Sequence, residues 1–190
     1  MNKKIIEIIK NSNKVKEQIL HNSEKIQKIT DVVGAVTNAF KNQNKVLFCG
    51  NGGSAADAQH LAAEFSGRFY KDRKALPSEA LHCNTSYLTA VGNDYGYEYI
   101  YSRLIEGIGN KGDILFGIST SGNSKNIVNA FKVAQEIGLI TIAMVGEKQC
   151  EMNKYSNFIL SVPSTDTPRI QESHILIGHI ICELVEENLF

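Results

Sequence analysis

From residue 45 onward the chain alternates short apolar runs with helical stretches, and this alternation most limits what it can fold into. The apolar runs have the length of buried strands and cover 45–49, 79–83, 113–118, 139–145 and 157–162. The stretch 123–137 carries an apolar stripe at helical spacing and ends at Gly138, a residue typical of a helix C-cap. We therefore predict an α/β three-layer sandwich with a five-stranded parallel sheet, helices on both faces and strand order 2-1-3-4-5.

The residues before this core predict two amphipathic helices. Apolar side chains recur every three or four residues over 3–41, no proline interrupts them, and 21–23 is the expected break. The apolar faces of such helices need a cover, and a second subunit would supply it. At the other end, Thr167 and Pro168 predict a helix whose N-cap is Thr167. We expect one domain over 1–190, with 1–41 used in oligomerisation and 45–190 forming the core.

The charge balance and the apolar runs exclude several classes of protein. Lys plus Arg and Asp plus Glu each number 20, so the net charge is zero and a general nucleic-acid binder is not expected. No apolar run approaches the ~20 residues of a membrane span, and Glu7 interrupts any apolar region of a secretion signal. The four cysteines form no CxxC pair, which favours a reduced, cytoplasmic protein.

Two loops rich in glycine and hydroxyl groups follow the first and third strands of the core. They are Cys49-Gly-Asn-Gly-Gly-Ser54 and Ile118-Ser-Thr-Ser-Gly-Asn-Ser124, and each opens a helix. In the order 2-1-3-4-5, these loops face each other across the crevice where such sheets bind ligands. Four hydroxyl groups near a helix N-terminus suit a phosphate, although helix capping alone is the alternative. Neither loop has the spacing of a nucleotide motif, so a small phosphorylated metabolite is the expected ligand.

A second group of polar residues lies on the two helices that follow the first loop and end the chain. His60 and Glu64 are four residues apart and share a helix face, which suits metal ligation, acid–base work or a mere surface contact. His179 lies in an apolar segment, as either a core residue or a functional one. Gln171 is roughly 12 Å from His179 along the helix axis. One ion could therefore bind both only if the Gln171 side chain extends far toward it, or if a second subunit supplies one of the two residues.

Four segments of the chain together resemble the phosphoheptose isomerase family of the sugar isomerase (SIS) domain superfamily. They are Cys49-Gly-Asn-Gly-Gly-Ser54, Ala90-Val-Gly-Asn-Asp94, Gly117-Ile-Ser-Thr-Ser-Gly-Asn-Ser124, and Thr167-Pro-Arg-Ile-Gln-Glu172 with His179. The resemblance extends over essentially the whole chain and implies an SIS domain with a flavodoxin-like strand order. One departure is Pro168, where some relatives have an aspartate whose contacts Asp166 would have to supply.

The resemblance implies an aldose–ketose isomerase that converts D-sedoheptulose 7-phosphate to D-glycero-D-manno-heptose 7-phosphate, the first step toward nucleotide-activated heptose for lipopolysaccharide or capsule. It implies Glu64 and His179 as the acid–base pair, and one Zn²⁺ per subunit. The implied metal ligands are His60, Glu64, Gln171 and His179. The implied substrate-binding residues are Asn51, Gly52, Gly53, Ser54, Glu64, Asn93, Asp94, Ser119, Thr120, Ser121, Ser124 and Gln171. It also implies a cytoplasmic homotetramer, with active sites at the subunit interfaces.

Two other functions share the same loops. One is a non-catalytic SIS protein that binds a phosphosugar and docks on a replication initiator, which would not require His60, Glu64 and His179 together. The other is an SIS isomerase for a pentose or hexose phosphate, because hydroxyl-rich loops bind the phosphate equally well in each case. Substrate assays separate all three.

Overall fold

The computed structural model describes residues 1–190 as seven α-helices and five strands. The helices are α1 (Asn2–Leu20), α2 (Ser23–Lys41), α3 (Gly53–Ser66), α4 (Thr85–Asp94), α5 (Ile100–Ile108), α6 (Lys125–Ile137) and α7 (Thr167–Leu189). The strands are β1 (Val46–Gly50), β2 (Ser78–Ala80), β3 (Ile114–Ile118), β4 (Ile140–Val145) and β5 (Phe158–Ser161). Two short 3₁₀ turns, Tyr97–Tyr99 and Glu151–Tyr155, complete the fold.

All five strands are parallel and lie in the order β2-β1-β3-β4-β5. This confirms the predicted sheet and its order. The central strands β1 and β3 are buried along their whole length, because helices cover both faces of the sheet.

The two faces of the sheet build two separate apolar cores, so the fold has three layers. Phe48 of β1 and Phe116 of β3 stack on one face, with ring centroids 4.8 Å apart, in the core that α2, α3 and α7 share. On the other face, Leu47 and Leu115 pack in the core formed with α4, α5 and α6. Alternate residues of a strand point to opposite faces, which is why neighbours in β1 belong to different cores.

Two local predictions need correction. The second strand covers only Ser78–Ala80 and not 79–83, because Leu81 enters a turn that the Cys83 N–H closes onto the Ala80 carbonyl. The N-cap of α7 is Asp166 and not Thr167, and proline fits the first turn because N–H groups there have no intrahelical partner. No secondary-structure prediction covered 84–112, where the structure has α4 and α5.

The N-terminal helices break where predicted, at His21 and Asn22, and the Asn22 side chain caps α2 by accepting from the Lys25 N–H. α2 packs against α7 and the sheet, whereas α1 leaves an apolar stripe uncovered. In that stripe Ile5, Ile8 and Ile9 are 49%, 43% and 54% exposed.

Among the seven helices, none combines the length and apolar character needed to cross a membrane.

Candidate active site

The site lies at the carboxyl ends of β1 and β3, where the two chain paths diverge. β1 leads into α3 on one face of the sheet, and β3 leads into α6 on the other, which leaves a crevice between the loops. Two reciprocal hydrogen bonds of 2.9 Å join Asn51 of the first loop to Asn126 of α6. The Tyr97 hydroxyl also donates to the Asn51 side-chain oxygen, at 3.0 Å. The two loops therefore adjoin as predicted.

The hydroxyl groups of the second loop form a cluster that does not cap α6. The Ser119 and Ser124 hydroxyl oxygens lie 3.2 Å apart, and those of Ser119 and Ser121 lie 3.5 Å apart. Ser124 occupies the N-cap position but makes no side-chain capping bond. The Ser119 and Ser121 hydroxyl oxygens accept from the backbone N–H groups of Gly122 and Asn123 within the loop, and Ser124 is not committed to capping α6.

A polar cleft of about 250 Å³ opens beside this cluster. Thr120, Ser121, Asn123, Lys148 and Thr167 are among its lining residues. Gly122 keeps the loop tight: its φ is +64°, and a Cβ there would lie 2.1 Å from the Cys150 sulfur. Only glycine fits such a position without strain.

His60, Glu64 and His179 meet at a second point, farther along α3. The Nε2 atom of His60 lies 2.9 Å from Nε2 of His179 and 3.2 Å from Oε1 of Glu64. One potential ligand atom from each of the three residues lies within 4.8 Å of the other two. One chain supplies all three groups, so the carboxylate of Glu64 and the imidazole of His179 share one site.

The packing of α7 on α3 explains how groups so distant in sequence converge. Gly178 lies directly on Leu61, and a Cβ at Gly178 would come within 2.6 Å of the Leu61 side chain. The missing side chain lets the two helices approach closely. His179, the next residue, is thereby brought to His60 on the facing turn.

Asp57 belongs to this site although the sequence analysis did not select it. Burial raises the pKa of Asp57, while the neighbouring His60 and His179 oppose that rise. Its Oδ2 atom is buried without a hydrogen-bond partner. The available signal was its place three residues before His60, on the same helix face.

The remaining predicted residues are distributed around the crevice. The Gln171 side chain lies against Gly53 at the start of α3, within 2.7 Å of where a Cβ would be. Ser54 is buried in the first turn of α3. Asn93 and Asp94 end α4, are exposed, and hydrogen bond to each other at 2.9 Å. Asn126 and Tyr97, which hold Asn51, carried no sequence signal.

The donor set of the His60 group fits a metal ion. Two imidazole nitrogens and a carboxylate oxygen that converge in this way are ligands that Zn²⁺ accepts, and other divalent ions accept them too. His60 is more exposed than Glu64: half of the His60 side-chain surface is accessible to solvent, compared with 23% of the Glu64 side chain. An ion would therefore have a path from solvent.

The parallel 2-1-3-4-5 sheet and its hydroxyl-lined crevice define the class of protein: the family model of the SIS domain matches residues 8–146. A phosphoheptose isomerase of Clostridium acetobutylicum is 56% identical over 182 residues, covering 96% of this chain and 93% of that protein. One from Sulfurimonas denitrificans is 53% identical over 190 residues, covering 100% and 97%. A solved phosphoheptose isomerase structure from Francisella tularensis superposes with a TM-score of 0.92 at 33% identity, covering 97% of each chain.

The chain thus belongs to the phosphoheptose isomerase family of SIS domain proteins, and it is an isomerase. This confirms the resemblance on which the sequence analysis drew.

Proposed function

We propose that the chain interconverts D-sedoheptulose 7-phosphate and D-glycero-D-manno-heptose 7-phosphate in the cytoplasm. This reaction is the first step toward nucleotide-activated heptose for lipopolysaccharide or capsule. The observation that carries the proposal is the convergence of Glu64 and His179 in a chain whose Ser119–Ser124 loop also presents a cluster of hydroxyl groups. An aldose–ketose isomerase needs that combination of an acid–base pair and a phosphate anchor.

The two parts of the site divide the substrate between them. Ser119, Thr120, Ser121 and Ser124 bind the phosphate through hydroxyl and backbone N–H groups at the start of α6. His60 lies seven residues beyond Gly53, so about 10 Å along α3, a distance that the carbon chain of the sugar can span. The sugar hydroxyl groups are bound by Asn51, Gly52, Gly53, Ser54, Glu64, Asn93, Asp94 and Gln171.

Isomerisation moves one proton between C1 and C2 and rearranges two protons on oxygen. The Glu64 carboxylate removes a proton from C1 of the ketose while His179 donates one to the C2 oxygen, which gives an enediol. His179 then takes the proton from the C1 oxygen, and Glu64 returns its proton to C2, which gives the aldose. General acid–base catalysis of this kind contributes about 10²–10⁴-fold.

We assign one Zn²⁺ per subunit to His60, Glu64 and His179, with Gln171 as the further ligand that the family resemblance implies. When bound, such an ion polarises a carbonyl oxygen or orders the site. Glu64 has two oxygens, so one can face the ion while the other faces the substrate. In this chain Gln171 lies beside Gly53, and we assign its amide a further contact to the bound sugar.

We further propose that 1–190 is one SIS domain that assembles as a homotetramer, with active sites at its interfaces. The exposed isoleucine stripe of α1 supports this, because an uncovered apolar helix face of this kind is typical of an interaction surface. The helices of 1–41 then serve oligomerisation, and 45–190 forms the catalytic core.

Turnover of sedoheptulose 7-phosphate, measured beside pentose and hexose phosphates before and after chelation, tests the proposal. We expect the heptose phosphate to have the highest kcat/KM, and chelation to reduce turnover. A pentose or hexose phosphate as the best substrate would replace the assigned reaction with another isomerisation. No turnover of any sugar phosphate by the metal-loaded chain would contradict the catalytic role.

A further inference from the structure

A buried ion pair lies beyond the site, between α7 and the loop that follows α3. Glu186 of α7 accepts from Arg73 Nε at 2.8 Å, and each side chain is only 2% exposed. Burying two charges is costly unless further hydrogen bonds satisfy them. The partners of this pair therefore indicate what it holds in place.

The carboxylate of Glu186 binds the loop that follows α3. It accepts from the backbone N–H groups of Phe69, Tyr70 and Lys71, at 3.1, 2.8 and 2.8 Å. Burial alone would raise the pKa of Glu186, but these N–H groups and the Arg73 guanidinium outweigh it and leave the pKa below its usual value. A charged carboxylate thus fixes three successive amides of the loop onto α7.

The guanidinium of Arg73 closes the end of α3. Nη2 donates to the carbonyl of Glu64 and Nη1 to that of Phe65, both at 2.9 Å, and Nη1 also donates to Lys74 at 3.1 Å. The last turn of α3 contains no basic residue of its own, so Arg73 supplies both donors and positive charge where helix carbonyls lack partners. One of those carbonyls belongs to Glu64 itself.

The same contacts extend to His179. Glu186 follows His179 by seven residues, two helical turns along one face of α7. Phe69, whose N–H group Glu186 holds, has its ring centroid 5.7 Å from that of His179. One ion pair therefore joins the backbone of Glu64, the loop that packs on His179, and the helix that carries His179.

We propose that Arg73 and Glu186 are positioning residues for the isomerase. They hold the end of α3 and the Phe69 ring so that the Glu64 carboxylate and the His179 imidazole keep their relative geometry. This proposal rests on the roles given to Glu64 and His179 under the proposed function.

The variants Glu186→Gln and Arg73→Lys test it. Glutamine keeps the size of the side chain but loses the charge, and lysine cannot reproduce the forked donors of arginine. The control is Asp113→Asn. Asp113 is an equally buried carboxylate that is paired with Lys45 at 2.6 Å and accepts backbone N–H groups. It directly precedes β3, at the amino ends of the strands and so opposite the crevice.

Kinetics on folded protein, below the unfolding temperature of each variant, give the first readout. We expect kcat to fall about tenfold or more in both test variants while KM stays unchanged, because misplaced reacting groups slow the chemical step and leave the phosphate anchor intact. Asp113→Asn keeps the native kcat. A kcat in the test variants equal to that of the control overturns the proposal.

Cobalt(II) binding, followed by absorbance, gives a readout that does not depend on turnover. We expect Glu186→Gln to bind Co²⁺ about tenfold more weakly than the native chain and Asp113→Asn to bind it equally well. If the native chain turns over no heptose phosphate, the proposed function fails, while the cobalt comparison still decides the positioning role. Equal affinity in all three proteins contradicts that role.

A third variant, Phe69→Leu, covers the case in which the charge variants do not fold. Phe69 is half-buried, so leucine retains most of the packing and removes only the ring beside His179. We expect a several-fold loss of kcat at native stability. A native kcat in Phe69→Leu contradicts the proposal.

Discussion

The Nε2 atoms of His60 and His179 lie 2.9 Å apart although 119 residues separate them in the chain. At that distance one ring nitrogen donates a proton to the other, or both face a shared cation. The Glu64 oxygen 3.2 Å from His60 supplies negative charge at the same point. The arrangement therefore serves both for metal ligation and for moving protons.

Replacing His60 tests the metal assignment. We expect His60→Ala to bind Zn²⁺ at least about tenfold more weakly, because it removes one of three converging ligands. His21→Ala, at an exposed histidine of the N-terminal helices, is the control and binds zinc like the native chain. Titration against a chromophoric chelator measures both, and equal affinity in the two variants would rule out His60 as a ligand.

Asn126 is expected to orient Asn51 for the substrate. Asn126 is only 3% exposed and pairs with Asn51 through both amide groups, so Asn126→Ala leaves the Asn51 amide held by the Tyr97 hydroxyl alone. We expect KM for the sugar phosphate to rise about tenfold with little change in kcat. Asn188→Ala, remote from the crevice at the end of α7, serves as the control. An unchanged KM in Asn126→Ala would remove this role.

His174 makes the stability of the fold depend on pH. It is fully buried on α7, its Nε2–H donates to the Val145 carbonyl at 3.2 Å, and burial lowers its pKa to about 4, opposed by that hydrogen bond. The unfolded chain binds the proton first as pH falls below the ordinary value of 6.5, so stability is lost between there and the folded pKa.

Urea unfolding from about pH 7 to about pH 4 measures this effect. We expect the native chain to lose up to about 3 kcal/mol more than His174→Gln over that range. His21→Gln, which changes an exposed histidine, should follow the native curve. Parallel curves for the native chain and His174→Gln would mean that His174 does not titrate this way.

The apolar stripe of α1 predicts that polar substitutions there dissociate the proposed homotetramer. We expect the double variant Ile5→Glu with Ile9→Glu to give a smaller particle by light scattering, because charges on a buried interface face are costly. Lys10→Glu, on the same helix, controls for added negative charge. An unchanged particle mass in the double variant would show that α1 is not part of the subunit interface.

The sequence predicted those parts of the fold and site that local spacing determines. The strand at Val46–Gly50 and the loop at Ser119–Ser124 follow from composition and order, since the carboxyl ends of parallel strands share one edge. His60 and Glu64 share a face because they are four residues apart. That His179 joins them depends on Gly178 packing on Leu61, which spacing cannot reveal.

What the sequence did not predict depends on contacts between distant residues. Arg73 and Glu186 are 113 residues apart and have no local motif. In the sequence Asn126 resembles an ordinary helix residue, and only the structure shows its amide paired with that of Asn51. The edge strand was placed too far along the chain because Leu81 is apolar and buried yet belongs to a turn.

In the proposed mechanism, Glu64 carries the proton between C1 and C2. The most direct test is the kcat of Glu64→Gln for sedoheptulose 7-phosphate, compared with Glu187→Gln at the exposed end of α7. We predict a loss of at least about 10²-fold in Glu64→Gln, in a protein that remains folded and still binds the substrate, and native turnover in the control. Turnover near the native value in Glu64→Gln would contradict the account.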